Sequence, residues 1–273
     1  MHPLRIGLCF DPRFPESPSA PRGVEGVDLL VFPELLDGGY AALVAGRGGD
    51  DLRDEFMERF RHLTIAAPVS CVAGSVRLRD SSGRRYNSSL VYRGGRLVHR
   101  YDKIHLFRPA GDHRFFSPGE TSRPFSLRFA GGTLRAGLIL CYDLRFPELA
   151  RGLALRGIQI LIVPARWPRI RDGAWRTLLR ARAIENQIFV VGCNARGSEG
   201  GHSYVIDPVG REIFSSRKGT RTVVDIVEID LDELAAARVH HSNIAEARLL
   251  HRLRFPSRVR GKETARSRRS AAG

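Results

Sequence analysis

The chain has 273 residues, 42% of them apolar, and a formal net charge of +15, enough to bury a large core in one domain or two small ones. No apolar stretch approaches the roughly 20 residues of a membrane-spanning helix. The start, Met1-His-Pro-Leu-Arg-Ile-Gly7, lacks a signal-peptide core and cleavage site, so a soluble cytoplasmic protein is expected. The charge is uneven: from Arg252 onward there are eight Arg or Lys residues and one acidic residue, Glu263. Residues 246–273 therefore read as a basic tail, partly disordered or lying at a subunit contact. With no RNA-binding aromatic signature and no helix-turn-helix pattern, a nucleic-acid partner is not expected.

In chain order, Leu4 to Cys9 reads as a buried strand, and Val27 to Phe32 as a second that ends at Pro33-Glu34. Residues 51–64 have helical spacing, with Leu52, Phe56, Phe60 and Leu63 on one face. Ser70 to Leu78 is a strand. Tyr86 to Tyr92 and Leu97 to Tyr101 form a hairpin about Gly94-Gly95, and Phe125 to Phe129 and Thr133 to Leu140 form another. Leu144 to Arg156 reads as a helix stopped at Gly157, Gln159 to Val163 as a buried strand closed by Pro164, and Ala174 to Asn186 as a helix. Strand Ile188 to Cys193, a hairpin from Ser203 to Phe214, strand Val223 to Ile229 and a short helix from Leu231 to Val239 follow. Strands mix with helices and no composition shift marks a linker. This predicts an α/β domain over residues 1–245 with parallel and antiparallel pairing.

Three polar residues follow strands: Glu34 in Val31-Phe-Pro-Glu34, Lys103 in Tyr101-Asp-Lys103, and Cys141 in Leu138-Ile-Leu-Cys141. α/β sheets gather their chemistry at the carboxyl ends of strands. A thiolate is a strong nucleophile, and a helix beginning at Cys141 is expected to lower its pKa. A carboxylate can take the thiol proton. An ammonium and the backbone N–H of Tyr142 can stabilise the oxyanion formed when sulfur attacks a carbonyl or nitrile carbon. Lys103 stands out further because only three of the 44 basic residues are lysines, the others being Lys218 in a turn and Lys262 in the tail. Cys9, Cys71 and Cys193 lie in apolar runs and read as buried small hydrophobes. No cysteine spacing suggests a zinc site or a disulfide framework.

Together, Val-Phe-Pro-Glu-Leu, Tyr-Asp-Lys-Ile-His-Leu-Phe and Cys-Tyr-Asp-Leu-Arg-Phe-Pro-Glu resemble the nitrilase superfamily of carbon–nitrogen hydrolases, over about residues 4–240. The resemblance implies an αββα sandwich, homo-oligomers paired across helices, no cofactor or metal, and a Glu-Lys-Cys triad. In it Glu34 is the general base, Lys103 the oxyanion stabiliser and Cys141 the nucleophile. Pro164-Ala-Arg-Trp167-Pro168 and the segments Trp175 to Gln187 and Val191 to Arg196 are most similar to the omega-amidase group, which hydrolyses short dicarboxylic monoamides. Arg166 and Trp167 then become candidates to line the substrate pocket. Glu185-Asn186-Gln187, Asp143 and Arg145 read as structural.

Two departures from the family pattern stand out. Members carry a second glutamate in the loop after the lysine; nine residues past Lys103 this chain has Asp112, one methylene shorter, and Glu120 lies beyond Pro118-Gly119. The long helix expected between the first two strands is replaced by Asp11 to Arg22, where four prolines forbid it. The glycine-rich segment 37–49 is expected beside the pocket. An amidase of omega-amides is the leading expectation; a nitrile- or carbamoyl-cleaving enzyme with the same triad, and a non-catalytic binding protein using the basic tail, are the alternatives.

Overall fold

The computed structural model describes residues 2–10, 24–45, 50–216, 224–239 and 241–247. The proline-rich interval 11–22 and nearly all of the basic tail lie outside them, as does the side chain of Leu52. The strands are β1 (Leu4–Cys9), β2 (Leu29–Val31), β3 (Ser70–Val72), β4 (Val76–Arg79), β5 (Arg85–Arg93), β6 (Arg96–Asp102), β7 (Phe125–Phe129), β8 (Gly132–Leu138), β9 (Ile160–Ala165), β10 (Phe189–Asn194), β11 (Tyr204–Ile206), β12 (Glu212–Ser215) and β13 (Val224–Ile229). The α-helices are α1 (Gly39–Val44), α2 (Asp50–Ala66), α3 (Asp112–Phe115), α4 (Pro147–Ala154), α5 (Asp172–Asn186) and α6 (Asp232–Arg238).

Two mixed sheets form the centre. One runs β13-β1-β2-β3-β5, with β4 and β6 also paired to β5; the other runs β12-β11-β10-β9-β8-β7. β1, β2 and β3 are mutually parallel, as are β8, β9 and β10. Period-2 alternation decides what each strand face meets. Leu4, Ile6 and Leu8 of β1 and Leu29 and Val31 of β2 join the core shared with Leu138, Ile162 and Val191 of the other sheet. Leu30, Phe32 and Cys71 point the other way, onto Phe56, Phe60 and Leu63 of α2. Helix α5 packs Trp175, Leu179 and Ala183 against the second sheet. The order is helix, sheet, sheet, helix: the αββα sandwich of the α/β class. β9 and β10, covered on both faces, are buried at every residue, which is why their sequences are continuous apolar runs.

Three boundaries differ from expectation, each for a local reason. The strand read over Ser70 to Leu78 is interrupted: Val72 stands opposite Val91 but Val76 opposite Ser88, a slip of one residue and therefore a bulge. Gly74 makes the bulge at φ +43°, where a Cβ would lie 1.8 Å from the Pro33 carbonyl oxygen. The helix read from Leu144 begins only at Pro147, because a residue before proline avoids the helical region; Cys141–Arg145 is a 3-10 turn instead. Strand β9 continues through Pro164 to Ala165. The Ile162 carbonyl accepts from Ile139 of the β8 chain, so Pro164, two residues on, faces the side where β8 has already ended at Leu138, and its missing N–H costs no ladder bond.

The bulge fixes the turn that follows β2. Ser75 accepts the Leu35 N–H on its Oγ at 2.9 Å and the Leu36 N–H on its carbonyl at 2.9 Å. Asp37, 1% exposed, accepts Arg77 Nε at 2.5 Å. These contacts hold Leu35 at φ +50°, a sparsely populated conformation that persists only when its surroundings overdetermine it. Gly74→Ala is expected to destabilise the chain by about 2 kcal/mol or more and to lower activity by moving this turn, read by thermal unfolding and turnover on one preparation.

Candidate active site

Glu34, Lys103 and Cys141 meet at the carboxyl ends of three strands. Glu34 follows β2, Lys103 follows β6 and Cys141 follows β8. Glu34 and Lys103 are fully buried and Cys141 is 7% exposed. Lys103 Nζ donates to Glu34 Oε1 at 2.8 Å and to Asp112 Oδ2 at 2.8 Å. A third, longer contact of 3.3 Å runs to the hydroxyl of Tyr40. Burial alone works to lower the Lys103 pKa, but the negative charge of Glu34, with that of its other neighbours, outweighs it and holds the ammonium well above its usual range. A buried lysine between two carboxylates stays charged.

Glu34 has a division of labour between its oxygens. Oε1 accepts Lys103 Nζ and, at 2.9 Å, Asn87 Nδ2. Oε2 accepts the Arg166 backbone N–H at 3.3 Å, which leaves this oxygen capacity for a further proton. The charges of Glu34 and Lys103 both act on the Cys141 thiol. The expectation of a lowered thiol pKa is corrected here. Burial and then the charge of Glu34 push the Cys141 thiol well above its usual value, against the opposing pull of Lys103. The turn that begins at Cys141 is a five-residue 3-10 helix, a weak counter to burial. Cys141 itself sits at φ +46°, and Asp143 pins the turn: it accepts the Leu140 N–H at 3.1 Å, the Tyr101 hydroxyl at 2.7 Å and the His105 N–H at 2.7 Å. The N–H of Tyr142 lies in the first turn, where a helix leaves its donors unpaired.

Asp112 reaches Lys103 directly. Its Oδ2 also accepts the Phe107 N–H at 2.9 Å, and it opens the short helix α3 behind the Gly111 turn. Glu120 is exposed. Cys9, Cys71 and Cys193 are buried free thiols, as read from their apolar runs.

A cleft of about 290 Å³ opens over Cys141, with Tyr40, Tyr142, Arg166, Trp167 and Glu199 among its walls. Arg166 faces it but is spent on the structure: Nε donates to the Glu34 carbonyl at 2.7 Å, one Nη to the Leu35 carbonyl at 2.9 Å and the other to Glu199 at 3.2 Å. Trp167 is 4% exposed, with its indole N–H on the Arg171 carbonyl at 3.1 Å and its ring 5.2 Å from that of Trp175. Two arginines line the cleft more freely. Arg145 lies 4.9 Å over Trp167 and Arg171 5.5 Å over Phe107; among the described residues neither has a carboxylate partner. Arg145, read as structural, is thus a wall of the cleft. Sequence reasoning also missed Asn87, Tyr40 and Glu199 as site residues. Only Asn87 left a signal, as the first of three polar residues in the middle of strand β5.

Comparisons with known proteins give the family. Residues 14–239 match the carbon-nitrogen hydrolase family model. A 2-oxoglutaramate amidase of Bacillus subtilis is 36% identical over 216 residues, covering 77% of this chain and 81% of the relative. The omega-amidase YafV of Escherichia coli (strain K12) is 35% identical over 211 residues, covering 74% and 78%. Among solved structures, an amidase from Nesterenkonia sp. superposes with a TM-score of 0.71 at 26% identity, covering 87% of this chain and 94% of that one.

Proposed function

The chain belongs to the carbon–nitrogen hydrolase family, and from that premise we propose that it is an amidase of small omega-amides, working through a thioester on Cys141. The observation that carries the chemistry is the buried set in which Glu34 accepts from Lys103 and its charge bears on the Cys141 thiol. As sulfur attacks the amide carbon, Glu34 takes the thiol proton. The oxyanion is stabilised by Lys103 and the Tyr142 N–H, and Asp112 keeps the ammonium in place. The carbon–nitrogen bond breaks as Glu34 passes its proton to the leaving nitrogen, which departs as ammonia and leaves a thioester. Glu34 then takes a proton from water as the water oxygen attacks the thioester. The carbon–sulfur bond breaks, the carboxylic acid product leaves, and the proton returns to Cys141. The elevated thiol pKa fits general-base attack rather than a preformed thiolate.

The substrate class rests on Arg145 and Arg171. A guanidinium flat on an aromatic face and free of carboxylates is a ready partner for a substrate carboxylate. With the amide carbon at Cys141, these arginines would hold the far end of an omega-amide. Ammonia release from omega-amides, neutral amides, nitriles and N-carbamoyl compounds tests the reading, and preference for a nitrile or carbamoyl substrate would overturn it. Arg145→Leu is expected to raise KM for carboxylate-bearing amides by roughly 10- to 100-fold, while kcat/KM on neutral amides barely changes. The proposal includes a cytoplasmic homo-oligomer, a dimer or larger. The exposed Ile184 and Val209 beside Gly210 offer apolar surface for it, and sedimentation of the full chain checks its size.

A further inference from the structure

Helix α1 starts without a cap of its own. Its N-cap residue is Gly38, at φ 111° and without a side chain. A helix normally satisfies its second and third N–H groups with an oxygen from the N-cap side chain. Here those groups belong to Tyr40 and Ala41, and both are taken by Glu199, 158 residues or more away in the chain: Tyr40 N–H to Oε2 at 3.2 Å, Ala41 N–H to Oε1 at 2.8 Å. Glu199 Oε2 also receives an Nη of Arg166 at 3.2 Å, and the same guanidinium holds the Glu34 and Leu35 carbonyls. The carboxylate therefore joins the loop after β10 to the turn after β2, across the mouth between the two sheets.

The space for it is built by a glycine. Gly39 has φ +71°, and a Cβ there would lie 2.4 Å from Glu199 Oε2 and 2.8 Å from an Arg166 Nη. Beyond the clamp stands Tyr40, whose hydroxyl is 3.3 Å from Lys103 Nζ. Burial and the charge of Glu34 keep that phenol un-ionised, so it offers the ammonium a neutral oxygen on the cleft side.

We infer that Glu199 is a positioning residue of the active site: it caps helix α1 from the opposite sheet and so holds Tyr40 against Lys103. Its carboxylate needs no contact with substrate for this. The inference rests on the amidase reading for its kinetic consequence, but the clamp itself has a readout independent of activity.

The test has two arms. In the first, hydrogen exchange of the backbone amides of Tyr40 and Ala41 is followed in the full chain and in Glu199→Ala. Exchange about 10-fold faster or more is expected at these amides, with the β9 and β10 amides unchanged; equal protection at Tyr40 and Ala41 overturns the clamp, whatever the enzyme hydrolyses. In the second, kcat and KM are measured on the best amide substrate. Glu199→Ala is expected to lower kcat about 10-fold with a small change in KM, and Gly39→Ala to do the same by evicting the carboxylate. In a Tyr40→Phe background the loss on Glu199→Ala should shrink, because the two act on one path. A rise in KM alone, or a full additional loss in that background, would show that Glu199 acts on substrate directly and would overturn the inference. Should Glu199→Ala not fold, Glu199→Gln, which keeps one acceptor oxygen, carries both arms with smaller shifts of the same sign. A wild-type chain that cleaves no amide removes the amidase reading and leaves the exchange arm to decide the clamp.

Discussion

Cys141→Ala is expected to lose amide turnover by on the order of 10^4-fold or more, with the fold retained. The sulfur lines the cleft, and alanine removes a side chain already small and buried. The companion variant Glu34→Gln separates two ways of activating the sulfur. Glu34 raises the Cys141 pKa by its charge, whereas Lys103 lowers it. Glutamine takes away the charge, so the thiol pKa should fall in Glu34→Gln, seen as thiolate ultraviolet absorbance appearing at lower pH. Turnover should fall as well, by about 10^2- to 10^4-fold, the usual worth of a general base. A preformed thiolate requires the opposite: easier ionisation would leave activity intact. Retained turnover in Glu34→Gln would end the general-base account, and retained turnover in Cys141→Ala would end the acyl-enzyme account altogether.

Glu34, Lys103 and Cys141 each follow a strand, where the fold class puts chemistry, but it was the combined motifs and their family resemblance that singled them out. Lys103 carried an added mark, a lysine in a chain that otherwise chooses arginine. The α/β class with mixed pairing was legible from strands interleaved with helices, and the sandwich from the family resemblance. What escaped the sequence depends on contacts between distant segments. Tyr40 reaches Lys103 across 63 residues and Asn87 reaches Glu34 across 53; no local pattern announces either pairing. Arg166 shows the converse. The omega-amidase resemblance made it a pocket candidate, and it faces the cleft, but nothing in the sequence indicated that its donors would be consumed by the carbonyls of Glu34 and Leu35. The bulge at Gly74 was hidden for a related reason: a glycine in a strand pattern is ambiguous until the close approach of Pro33 is seen. The thiol pKa was misjudged because a short polar segment after a strand was taken for a helix end, while burial and a neighbouring carboxylate decide the sign.

Lys103→Met should produce the largest combined loss of stability and activity in the chain. The ammonium is fully buried between Glu34 and Asp112, each at 2.8 Å. Methionine fills similar space but leaves two buried carboxylates facing each other without a cation. Breaking a buried pair in this way costs about 3–5 kcal/mol, which for a chain of this size lowers Tm by roughly 6–20 °C. Turnover should disappear too, since the charge aimed at the oxyanion is gone. The two losses have different causes and can be separated. In Lys103→Met with Asp112→Asn, one of the uncompensated charges is removed, so much of the lost stability should return. Activity should not return, because no cation has been restored at the oxyanion. Asp112→Asn alone should sit between: Lys103 keeps Glu34 as a partner, and the neutral amide still offers an oxygen to Nζ and to the Phe107 N–H, so kcat falls by less than in Lys103→Met. Recovery of turnover in the double variant would mean that Lys103 acts only as a buried counter-ion, and the oxyanion would then have to rest on the Tyr142 N–H and Tyr40.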